Sequence, residues 1–148
     1  MATIRFYGAA QEVTGSCYLL ESSEIGRILL ECGMHQGGDA VKRITTETFE
    51  FNPIDIDAVI LSHGHLDHSG LLPKLMSQGF VGPIYCSHAT KGLLRILLED
   101  SFGLYVRDLE YKNRHRERKG LQLLVPEYTK EDVGKVIAQC DPLPFNVE

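Results

Sequence analysis

The chain is 148 residues long, with 43% hydrophobic and 24% charged residues, a balance ordinary for one globular domain that excludes disordered, collagen-like and mucin-like chains. No run approaches the roughly 18 apolar residues of a membrane span, and no basic stretch followed by an apolar one opens the chain, so no membrane contact and a cytoplasmic address are expected. The net charge of −5 argues against a protein that merely coats phosphates; residues 1–70 hold four basic and ten acidic side chains against eleven and ten in residues 71–148, so a nucleic-acid face is expected in the second half.

Thr3–Tyr7, Ser16–Glu21, Arg27–Glu31 and Ala58–Leu61 are β-branched or leucine-rich runs between Gly-containing turns, which predicts four strands. Gly33–Asn52 has no clear period, and Gly33, Gly37 and Gly38 mark it as a loop approaching something closely. Ser69–Ser77 reads as a short helix ending near Gly79, and Ile84–Cys86 as a strand. From Ser87 or Thr90 onward, Leu94, Leu98, Phe102, Tyr105 and Leu109 recur at helical steps and predict a long helix, with Leu93–Leu98 in the core. Thr129 and Asp132 form a variant capping box that starts a second helix ending before Asp141-Pro142, and Phe145–Val147 reads as the opening of another strand. Strands first, then strands alternating with helices, give a mixed α/β domain whose sheet is covered on at least one face. Cys17, Cys32, Cys86 and Cys140 form no C-x-x-C pair and are read as buried thiols rather than a zinc ribbon or a redox motif.

The chemistry concentrates in Ser62-His63-Gly64-His65-Leu66-Asp67-His68-Ser69-Gly70, directly after the strand Ala58–Leu61. An extended backbone aims His63 and His65 to one side, and Asp67 and His68 follow in a turn that folds back toward them. Imidazole nitrogens with a carboxylate suit zinc, manganese or iron better than calcium. No G-x-S-x-G elbow and no cysteine nucleophile signature is present.

Ser62–Gly70 is similar to the HxHxDH motif of the metallo-β-lactamase superfamily. Together with Gly8–Cys17 (GAAQEVTGSC), Leu30–Gly37 (LECGMHQG) and Tyr85–Ser101 it resembles the β-CASP branch, RNA-processing nucleases, over nearly the whole chain. The resemblance implies an α/β fold that is part of an αββα sandwich, incomplete here, with residues 1–148 as its N-terminal part and no second domain. It implies two divalent ions, zinc first and manganese second, with His63 and His65 on one and Asp67 and His68 on the other. Asp67 then has a catalytic duty toward the bridging water. Glu31, where the family has Asp, would support the metal ligands from behind, and Gly64 stands where Ala is commoner. A further His, a bridging Asp and an inserted domain that the family supplies are not identifiable here.

The expectation is therefore a metal-dependent RNA phosphodiesterase, inactive as this chain alone and exposed to self-association, with endo- or exonuclease action, RNA target and substrate-binding residues open. The alternatives are a non-catalytic scaffold that keeps the fold, and a metallo-hydrolase of a thioester or another non-nucleic-acid substrate. His35 is expected near the site but not as a ligand, His88 at a helix entry, and His115 exposed. The run Lys112–Lys119 reads equally as a solvated helix end or as a contact for RNA phosphates.

Overall fold

Three antiparallel strands come first: β1 (Ala2–Gly8), β2 (Cys17–Ser22) and β3 (Gly26–Leu30). The sheet then changes character, because β4 (Ala58–Ile60), β5 (Ile84–Ser87) and β6 (Cys140–Leu143) add in parallel, giving the order β1-β2-β3-β4-β5-β6. Helices carry the crossovers: α1 (Ala40–Thr46), α2 (Leu66–Ser69), α3 (Leu72–Ser77), α4 (His88–Arg118) and α5 (Lys130–Gln139). These are the elements of a computed structural model, which describes residues 1–145.

Alternation along the strands sends Leu19, Leu29, Val59 and Ile84 to one face, where all are fully buried against Leu72 and Leu75 of α3, Leu94 and Leu98 of α4, and Val136 of α5. The other face carries Ile4, Phe6, Ile60 and Leu143, which stay 47%, 61%, 44% and 53% exposed. The mixed α/β class is as expected, with the sheet covered on one face among the described residues. All four cysteines are buried, and burial pushes the Cys17 and Cys140 thiols up to about 12, which leaves them protonated and inert. Among the described residues no helix is long and apolar enough to cross a membrane.

Three expectations need correction. The stretch read as a loop contains α1, which starts at Asp39: its carboxylate accepts from Lys42 N at 3.0 Å and pairs with Lys112 of α4. The far end of α1 is held by Lys74, 1% exposed, whose ammonium donates to the carbonyls of Ile44 (2.5 Å) and Glu47 (2.9 Å) and pairs with Glu127 at 3.3 Å. The helix read over Ser69–Ser77 is two pieces, α2 and α3, because the Leu71 amide turns away to the Cys32 carbonyl at 3.0 Å. Asp141-Pro142 does follow the end of α5 but lies inside β6, an edge strand where a missing N–H is tolerated. Of Phe145–Val147 only Phe145 belongs to the described residues. On α4, which Ser87 caps through the Thr90 amide, Leu94, Leu98 and Tyr105 are core as read, whereas Leu93 and Ile96 face outward.

Candidate metal centre

Leu30 and Ile60 are neighbours in the parallel pair β3–β4, so the carboxyl ends of the two strands lie side by side. Ligand sites of open α/β sheets form beyond such ends. Glu31 leaves β3 with φ 63°, in the left-handed region that a non-glycine residue enters at a cost of about 1–3 kcal/mol. The bend turns its carboxylate toward the end of β4: Oε1 accepts the Ser62 amide at 2.9 Å, and Oε2 stands 3.5 Å from His68 Nδ1.

Ser62 and His63 follow β4, with Ser62 Oγ 2.9 Å from His63 Nδ1. The His63 ring centre lies 4.8 Å from that of His65 and 4.1 Å from that of His68. His65 is the residue before α2, and its carbonyl accepts from Ser69 Oγ (2.9 Å) and His68 N (3.0 Å). Asp67 and His68 sit inside α2 rather than in an irregular turn, which corrects the sequence reading; Asp67 Oδ2 is 3.5 Å from His68 Nε2. The four residues and Glu31 are thus gathered in one place by three histidine rings and two carboxylates.

From behind, the loop is held by backbone bonds. Ser16 N donates to Asp67 O (2.9 Å), Cys32 N to His68 O (2.8 Å) and Met34 N to Leu66 O (2.9 Å). Gly33 lies so close that a Cβ there would be 1.8 Å from the Asp67 carbonyl oxygen. These contacts give a physical reason for the three segments to occur together, since the first two are the scaffold against which the HxHxDH segment is folded.

Among the described residues no three His, Cys, Asp or Glu side chains close around one point as an assembled cage. The residues nevertheless fit a metal. Glu31 Oε2 and His68 Nδ1 are buried without a hydrogen-bond partner, and imidazoles with carboxylates are a donor set for zinc, manganese or iron. Ser62, which the sequence reading passed over, occupies one nitrogen of His63 and leaves the other for a ligand.

His35 stands apart, bridged by Glu12 Oε1 on Nε2 (3.1 Å) and Glu47 Oε1 on Nδ1 (3.2 Å). Burial opposes its charging, but the bonds and charges of Glu12 and Glu47 outweigh it and raise its pKa. Burial, in turn, raises the Glu47 carboxyl. His88 begins α4 as expected, and His115 is exposed, edge-on to Tyr111. The basic run is partly structural: Arg116 Nε binds the Gln122 carbonyl at 2.6 Å, and the Asn113 amide holds both backbone groups of Leu124.

The profile described as "Metallo-beta-lactamase superfamily" matches residues 10–139. The chain is 48% identical over 139 residues to "Ribonuclease TTHA0252" of Thermus thermophilus, covering 94% of this chain and 27% of the relative. It is 30% identical over 144 residues to "Transcription termination factor FttA" of Methanocaldococcus jannaschii, covering 97% of this chain and 20% of that one. To "Integrator complex subunit 11" of Danio rerio it is 42% identical over 104 residues, covering 63% and 16%. The chain thus spans little more than a quarter, or less, of the length of these relatives.

Proposed function

The chain belongs to the metallo-β-lactamase superfamily, with the β-CASP RNA-processing proteins as its relatives, and from that premise we propose that it serves a metal-dependent phosphodiesterase acting on RNA. The observation that carries the reading is the gathering of His63, His65, Asp67 and His68 beyond β3 and β4, folded against the Ser16 and Gly33 loops. Relatives named ribonuclease, termination factor and Integrator subunit support RNA over a thioester or lactam.

The superfamily holds two divalent ions. His63 and His65 would hold one and Asp67 and His68 the other, and we take zinc first and manganese second from the nitrogen-rich donor set. When bound, such ions supply a hydroxide at neutral pH and offset charge on the phosphate. The chain's own residues orient and move protons. Ser62 Oγ fixes the His63 ring through Nδ1, and Glu31 ties the start of the motif to the end of β3 while facing His68. The Asp67 carboxylate would accept the proton of the attacking water.

Four ligands for two ions, each of which wants at least three protein donors, make this chain by itself a weak metal binder and an inactive one. The decisive experiment compares labelled single-stranded RNA incubated with zinc or manganese and either this chain or the protein at the full length of its relatives. Cleavage by the longer form, abolished by Asp67→Asn and by His65→Ala without unfolding, is expected. A folded, metal-loaded longer protein that leaves RNA intact would move the assignment to a scaffold.

A further inference from the structure

Gly33, whose Cα packs against the Asp67 carbonyl, also lines a cavity of about 220 Å3. Part of its wall is aromatic. Tyr7 and Phe49 both lie against Phe51, with ring centres 5.1 Å apart in each pair. The polar part of the wall includes Thr48, Glu50 and the Glu47 carboxylate already engaged by His35. Glu50 is exposed and has no partner among the described residues.

Among the described residues no Lys or Arg lines this cavity, and the one cationic candidate in its wall, His35, is already engaged by Glu12 and Glu47, so the wall offers a phosphate no free cation and suits a group that donates hydrogen bonds. Its size is informative as well. An apolar cavity of roughly 150 Å3 takes up benzene, so this one has room for a flat bicyclic ring. Aromatic side chains stack on unpaired bases, and bases taken out of a stack are read along their hydrogen-bonding edge. A carboxylate matches guanine, which presents N1–H and N2–H2 side by side, better than adenine, which offers a single amino donor. We propose that the cavity is a subsite for an unpaired guanine base of the RNA substrate, with Glu50 accepting N1–H and N2–H2; this rests on the RNA reading above.

Binding of guanosine to the chain, without metal, tests it by nuclear magnetic resonance titration. Guanosine should saturate, adenosine should bind at least tenfold more weakly, and uridine should not saturate. Glu50→Gln and the space-filling Thr48→Phe, both at exposed positions, should each weaken guanosine at least tenfold while the unfolding midpoint stays put. Equal binding of the three nucleosides, or indifference to Glu50→Gln, overturns the proposal. The RNA source is checked by displacement: UUGUU should release bound guanosine and UUUUU should not. Bound guanosine that UUGUU fails to release overturns the assignment to an RNA base. RNA cleavage by the longer form without guanosine binding overturns the subsite and leaves the phosphodiesterase standing.

Discussion

Two glycines, Gly33 packed against the metal segment and Gly64 within it, have opposite expectations. A Cβ on Gly33 would meet the Asp67 carbonyl at 1.8 Å and the Ser16 amide at 2.8 Å, both backbone, so Gly33→Ala should cost about 1–3 kcal/mol or more and move Asp67 out of place. A Cβ on Gly64 would meet only the Leu93 side chain at 3.4 Å or beyond, so Gly64→Ala should stabilise by about 0.4–1 kcal/mol through the unfolded chain. Denaturant midpoints of the two variants decide both. Glu31→Gln keeps an acceptor for the Ser62 amide but removes the charge facing His68. In the protein at the full length of its relatives, metal retention, read by elemental analysis after dialysis, should fall about 10–100-fold with little loss of stability. At His35 the sign follows from the raised pKa. The bonds to Glu12 and Glu47 contribute fully below the ordinary value of 6.5, and the contribution fades as pH rises through the higher folded value. The stability gap between the parent chain and His35→Gln should therefore shrink between pH 6 and 8; a gap that widens with pH would contradict the assigned ion pairs. The ligand types were legible because metal chemistry is written in residue identity. The Ser62–His63 and Gly33–Asp67 contacts were not, because they depend on how loops distant in sequence meet.

At the scale of elements, α4 and α5 could be read in advance, since α4 repeats its apolar face over many turns and α5 carries the Thr129–Asp132 box in full. Helix α1 could not. It has seven residues, only Val41 and Ile44 are buried, and its ends are secured by side chains from elsewhere, Lys112 on Asp39 and Lys74 on the last carbonyls. The Asp39 carboxyl is held below its usual range by the bond from Lys112 and then by the Lys42 amide. Asp39→Ala should cost about 0.5–2 kcal/mol as a lost cap. Because a lowered pKa contributes fully above the ordinary carboxylate value and is lost as pH falls through the lower folded one, the penalty should fade on acidification below the ordinary value, which acid titration of the two proteins would display.

For the molecule as a whole, the mixed sheet and its one covered face follow from the order of elements, whereas the identity of the open face depends on register, which a sequence states only indirectly. Ile4, Phe6, Ile60 and Leu143 form an apolar surface on that face. We expect the chain to self-associate through it, and Phe6→Glu to shift sedimentation toward monomer; a compact monomer of the parent chain at high concentration would contradict this. The change from antiparallel to parallel pairing at β3 and β4 also has a kinetic consequence. Strands β1 to β3 are joined by short connections and pair near their neighbours in the chain, whereas Leu30 must wait for Ile60 across a crossover. Glu31 belongs to the early, local part and the histidines to the late one. Substitutions along β2 should therefore slow folding, while those at the β3–β4 seam should mainly speed unfolding, with the two halves of the candidate centre meeting only as the β3–β4 crossover docks.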